Sequence, residues 1–245
     1  MEWKPELISW FYDANYGVGY VFVANILSTT IQTLFLFPII FAEKYEFNST
    51  LLKQILRYSL PLLVLGIAGI MNQTVDKIIF PFLFEDKTLA ASELGIYGAC
   101  FKIAMVMMMF TQAFRYAYEP FVFAKHKDRE SVGAYADAMK FFVICSWLIF
   151  LGITFYLDIF KLLIRSDYWG GLRVVPIVLC SYIFQGIYFN LSIWYKLTDK
   201  TKYGAYFSII GLVITLIINV VFVLIISYMA SALASLVCYF VIMII

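Results

Sequence analysis

Residues 94–124 read LGIYGACFKIAMVMMMFTQAFRYAYEPFVFA, and this stretch decides the fold. It is a nearly unbroken apolar run of about thirty residues, long enough to cross a bilayer as one tilted helix. Three ionisable side chains interrupt it, Lys102, Arg115 and Glu119. Each costs roughly 2.5–3.5 kcal/mol to insert at a membrane centre, so such groups face a partner or a wet cavity. The preceding apolar run, near residues 58–84, carries a second charged pair, Asp76 and Lys77.

The rest of the 245-residue chain has the same character. Hydrophobic residues make up 63%, charged residues only 14%, and mean hydropathy is +0.88. A soluble domain carries about 25% charged residues. The apolar excess falls in long runs and not in the short alternating segments of a membrane barrel, so the expected class is an all-α polytopic membrane protein. Net charge is +2, too small to point to nucleic acid. The first residues lack the basic start, short apolar core and cleavage site of a signal peptide.

Seven spans are expected, at about 17–41, 55–84, 94–124, 134–164, 171–197, 204–227 and 229–245. Tyr12, Tyr16, Tyr58, Tyr168, Trp169, Trp194 and Tyr203 fall near their ends, where an aromatic belt belongs. Lys44, Lys53, Arg57, Lys125, Lys127, Arg129, Lys140, Lys196, Lys200 and Lys202 fall on one side. Lys4, Lys87, Lys161, Arg165 and Arg173 fall on the other. Ten against five places the first side, with loops 42–54, 125–133 and 198–203, in the cytoplasm. The expected division is residues 1–54, one span and a cytoplasmic loop, followed by a six-helix bundle over 55–245.

Cys100, Cys145, Cys180 and Cys238 lie within apolar runs with no C-x-x-C spacing, and His126 sits in a polar loop. No metal site, cofactor motif or nucleotide-binding loop is expected. Asp158, Asp167 and His126 are too scattered for acid–base catalysis, so the chain is not read as an enzyme.

The intramembrane charges are the candidate site. With spans running outward and then inward, Asp76 and Lys102 lie at the same depth, roughly 12 Å from the outer end. They are expected to pair, either as a structural lock or as part of a transport pathway. Asn72 stands one turn before Asp76 on the same face, while Lys77 points about 100° away. Arg115 lies about 20 Å further in. Glu119 follows it by four residues, the spacing of an intrahelical ion pair, and Gln112 and Met108 extend that stripe. Met107–Met109 reads as packing or lipid-facing surface. Gly66, Ala68 and Gly69 read as a close helix contact. Pro38, Pro81 and Pro176 are expected to interrupt spans, Pro120 to bend its helix, and Pro61 to be tolerated near a helix start.

These residues resemble a known family. The pattern combines Ser59–Pro61 (SLP), N-x-x-x-D-K at Asn72–Lys77, G-x-Y at Gly95–Tyr97 and F-R-x-A-x-E-P-F at Phe114–Phe121. The later run VVPIVLCSYIFQGIYFNLSIWYKLTDKT and the surroundings of Asn219 also fit. Together they look like a Wzx-type polysaccharide-biosynthesis flippase of the multidrug/oligosaccharidyl-lipid/polysaccharide (MOP) exporter superfamily. The resemblance implies the last helix of a first bundle and the six of a second, as a partial chain whose partner is the N-terminal half. It also implies alternating-access export of a polyprenyl-pyrophosphate-linked oligosaccharide across a bacterial cytoplasmic membrane, for polysaccharide or O-antigen synthesis. Arg115, Lys102, Lys77, Gln112 and Asn72 are then substrate-binding candidates, with Asp76 and Glu119 as charge partners. The alternative is a cation-coupled small-molecule or drug antiporter of the same fold.

Overall fold

A computed structural model describes residues 19–40, 47–125, 131–198 and 200–245. The expectations for Lys4, Tyr12, Tyr16, Lys44, His126, Lys127 and Arg129 lie outside those residues. Among the described residues the regular structure is entirely helical. Among these residues six helices are long and apolar enough to cross a membrane, and Tyr228–Ile244 is a shorter apolar helix. The chain is an all-α, multi-pass membrane protein.

The chain divides into two units, Met1–Leu52 and Lys53–Ile245. The first contains α1 (Gly19–Ile40). Two of its threonines bond within the helix: Thr29 and Thr33 donate to the carbonyls of Asn25 and Thr29 at 2.8 and 2.9 Å. Such back-bonding suits a span with no water to bond. Helix α2 (Ser49–Leu83) starts in this unit, where Asn48 Oδ1 accepts from the amides of Thr50 and Leu51. That is an N-cap satisfying two orphan donors.

In the second unit, α2 is followed by α3 (Lys87–Lys125), α4 (Ser131–Phe155), the short α5 (Leu157–Phe160) and two 3₁₀ turns. Then come α6 (Val174–Leu191), α7 (Ile193–Leu197), α8 (Thr201–Ile226) and α9 (Tyr228–Ile244). Helix α6 is the most buried span and packs on α9, α3 and α4. Its closeness to α3 and α4 depends on Gly186, where a Cβ would collide with Phe142 and crowd Thr111. Helix α9 lies between α6 and α8. Two polar links tie it in: Ser231 Oγ donates to Asn219 Oδ1 at 2.8 Å, and Gln185 Nε2 donates to Tyr239 Oη at 2.7 Å.

Several expected boundaries shift. The span 134–164 ends at Phe155, because Asp158, Lys161 and Arg165 cannot extend an apolar helix, and turns take over. Lys161 pairs with Asp158, and Trp169 Nε1 donates to the Lys161 carbonyl at 3.1 Å. Helices α2 and α3 are longer than expected, 35 and 39 residues. The helices run through Pro38, Pro61, Pro81 and Pro120 without interruption. Pro176 sits in the first turn of α6, where its missing N–H has no intrahelical partner to lose. Ala68 is buried, but a Cβ at Gly66 or Gly69 would meet nothing within 4 Å, so those glycines do not make the expected close contact. Of the methionine run, Met107 is fully buried in the core and Met109 is exposed.

Candidate functional site

Two polar clusters lie inside the bundle, Tyr97 and Arg115 marking them about 27 Å apart along α3. The first surrounds Asp76, which is 4% exposed. Its Oδ1 accepts the Lys77 amide at 2.8 Å, and its electrostatic neighbours are Lys77, Tyr97 and Tyr182. Asn72 donates to the Ser208 carbonyl of α8 at 3.4 Å. Asn72, Gln73, Ser181, Tyr182, Ser235 and Tyr239 line a small cavity together with Phe101. Among the described residues the Asn72 Oδ1 and the Tyr182 hydroxyl are buried with no hydrogen-bond partner, and the buried Tyr97 hydroxyl has Asp76 and Ser235 as polar neighbours. Under-satisfied polar atoms gathered around one carboxylate make this an unusually polar interior for a helix bundle.

The expected Asp76–Lys102 pair does not form. Lys102 is exposed and makes no ion pair among the described residues. Azimuth keeps them apart. Tyr97 and Phe101, four residues apart, share the face of α3 that meets α2, and Lys102 is rotated about 100° from Phe101. The cation that does approach Asp76 is Lys77. Its ammonium lies 3.9 Å from the Phe101 ring centroid and donates to the Gln73 carbonyl at 3.2 Å.

The second cluster centres on Glu119. Arg115 Nε donates to Glu119 Oε1 at 3.1 Å, the ion pair that the four-residue spacing leads one to expect. Lys196 of α7 donates to the same oxygen at 2.6 Å. The Arg115 guanidinium also stacks 5.1 Å from the Phe189 ring centroid. Two cations on one carboxylate leave a net positive charge. Arg115 is about one-third exposed, and only its Nε is engaged among the described residues. Gln112 is half-buried and makes no hydrogen bond among the described residues.

The structure thus brings Asn72, Asp76 and Lys77 together, and separately Arg115 and Glu119. It leaves Lys102 and Gln112 apart from both. Sequence reasoning missed Lys196, counted only as a loop cation, and Tyr182 and Ser235, which lie in apolar runs with no local signal of their inward phase. Tyr97 was visible only as part of a motif.

The ends of the bundle are also defined. Arg57, Lys200 and Lys202 meet at the end where Lys196 and Glu119 pair. Ser227 Oγ donates to Glu93 at 2.6 Å at the opposite end, beside Arg173 and Tyr228.

No curated protein and no solved structure matches the chain. The MatE family model matches residues 86–221, more than half of the chain, from the start of α3 into α8. The chain therefore belongs to the MatE family, membrane transporters of the MOP exporter superfamily.

Proposed function

We propose that this transporter is a flippase that moves a lipid-linked oligosaccharide from the inner to the outer leaflet of a bacterial cytoplasmic membrane by alternating access. The observation that carries this reading is the Arg115–Glu119–Lys196 cluster. A pyrophosphate headgroup needs positive charge in a low-dielectric site, and a guanidinium matches phosphate oxygens with two parallel hydrogen bonds. Arg115 keeps its terminal nitrogens available while Glu119 fixes its Nε. In the empty state the carboxylate reduces the cost of holding two cations inside the bundle. When the headgroup arrives, Arg115 exchanges part of its contact with Glu119 for phosphate, and Lys196 remains on the carboxylate. A second bundle of related fold supplies the facing wall of the pathway.

The second reading, a cation-coupled antiporter, is favoured by Asp76. Its buried carboxylate, the adjoining Tyr97 hydroxyl and the Tyr182 and Asn72 oxygens, unpartnered among the described residues, form a set of oxygens suited to a proton or small cation.

Reconstitution of the purified chain together with that second bundle into liposomes separates the two. Transbilayer movement of a fluorescent polyprenyl-pyrophosphate oligosaccharide, lost in Arg115→Ala, supports the flippase. Efflux of an organic cation driven by a proton or sodium gradient, lost in Asp76→Asn and indifferent to Arg115→Ala, overturns it in favour of the antiporter.

A further inference from the structure

Helices α2 and α8 leave a two-part opening on the outer surface of the bundle. The first part is a cavity of about 560 Å³ whose charged lining is Arg57, Lys200 and Lys202. Tyr58, Tyr203 and Gln54 complete it, and no carboxylate among the described residues lines it. The second is an apolar groove of about 300 Å³ between Leu60, Leu63, Val64, Ala205 and Ile209. Lys202 lines both. The groove follows the cavity in sequence on both helices: 54, 57 and 58 precede 60–64 on α2, and 200–203 precede 205–209 on α8. The polar part therefore lies nearer the N-terminal ends of both helices, and the apolar part about one turn further along them.

We propose that this opening is a binding site for an anionic phospholipid of the surrounding bilayer. Its phosphate sits among Arg57, Lys200 and Lys202, and an acyl chain lies in the groove. The three cations form no ion pair among the described residues. Counting Asp199, their neighbour in sequence, against them still leaves two positive charges. Aromatic groups set the height of an interface: Trp194 and Tyr203 have ring centroids 6.1 Å apart, and Lys200 lies 5.4 Å from the Trp194 ring. A free anion has no use for the groove, and a zwitterionic lipid has no use for the uncompensated charge. None of Arg115, Glu119 and Lys196 lines the opening, and its role does not depend on what the transporter carries.

The experiment uses the purified full chain in detergent, with native mass spectrometry reading bound phosphatidylglycerol against phosphatidylcholine. Phosphatidylglycerol is retained selectively, and its retention falls as ionic strength rises. Each lost cation is expected to weaken binding about fivefold, so Lys202→Gln shows a small loss and Arg57→Gln with Lys202→Gln a loss of about 25-fold. Ala205→Phe, which fills the groove without changing charge, also weakens retention. Arg165→Gln, at the opposite end, leaves it unchanged. Three results overturn the proposal: equal retention of both lipids, retention untouched by Arg57→Gln with Lys202→Gln, or full retention in Ala205→Phe with displacement by inorganic phosphate, which marks a simple anion site. Preferential displacement of phosphatidylglycerol by a polyprenyl pyrophosphate overturns it as well, because the opening then belongs to the substrate pathway.

Discussion

Glu119 receives Arg115 and Lys196 on the same oxygen, so removing either cation leaves the carboxylate paired. Arg115→Ala alone is therefore expected to cost about 1 kcal/mol or less, as for a partly exposed ion pair. Arg115→Ala with Lys196→Ala strands the carboxylate and should cost more than the sum, with a coupling of about 0.5–3 kcal/mol. Adding Glu119→Gln should return the membrane level of the protein toward normal. Thermal unfolding of the four variants in detergent checks this, and simple additivity contradicts it. Lys102 supplies the converse case. It is exposed and unpaired among the described residues, so Lys102→Gln should leave abundance near that of the wild type. A charge swap between Asp76 and Lys102 should fail to rescue Asp76→Lys. Rescue in a membrane-level assay would show the two side chains in contact.

The ends of the helices hold the element-scale chemistry. One residue, Ser227, joins α8 to α9 with φ 50° and ψ −138°, a conformation that favours glycine. Strain of this kind costs about 1–3 kcal/mol, and the Ser227–Glu93 hydrogen bond at 2.6 Å offsets part of it. Ser227→Ala loses the bond and keeps the strain, while Ser227→Gly loses the bond and relieves the strain. Ser227→Ala should therefore unfold at the lower temperature. Asp86 begins α3 by accepting from the amides of Thr88 and Leu89 and from the Thr88 hydroxyl. These bonds, the Thr88 hydroxyl first, hold its carboxyl below the ordinary value of 3.8. A folded value lowered in this way means that the cap is fully present above the ordinary value. It is lost as pH falls through the folded one. Amide exchange at Thr88 and Leu89 should show fraying only in that acid range, and Asp86→Asn should remove the pH dependence. Much at this scale was legible beforehand. Long apolar runs located the spans, and the four-residue spacing gave the Arg115–Glu119 pair. The azimuth of Lys102 was not legible, because which face of α3 meets α2 is decided by packing around Tyr97 and Phe101. Lys196 was hidden for the same reason, since its approach to Glu119 depends on how α7, continuing α6, packs beside Tyr118 and Val122 of α3. Gly186 shows what tertiary packing adds: an isolated glycine in an apolar run carries no signal until Phe142 and Thr111 close on it.

At the scale of the whole molecule, the Lys and Arg bias becomes a topology with two distinct ends. Arg57, Lys200 and Lys202 gather at one end, while Ser227 and Glu93 meet at the other. On a background free of Cys100, Cys145, Cys180 and Cys238, an impermeant thiol reagent outside intact cells should label Thr88→Cys and spare Lys202→Cys. The reverse pattern would invert the membrane orientation and place the Arg115 cluster near the outer leaflet. Composition and span count were enough for the fold class, because an apolar chain of this length has few other ways to satisfy its backbone in lipid. The substrate depends on a few side chains, and those carry the central claim that the Arg115–Glu119–Lys196 cluster accepts a pyrophosphate headgroup. The most direct measurement is the flipping rate of a polyprenyl-pyrophosphate oligosaccharide by reconstituted Arg115→Lys and Arg115→Ala proteins, normalised to folded protein. A charged hydrogen bond is worth about 1.5–3 kcal/mol, so Arg115→Ala should slow flipping at least about tenfold. Arg115→Lys should fall in between, because it keeps the charge and loses the two-pronged contact. Equal rates in wild type and Arg115→Ala, with the protein folded, would contradict the account.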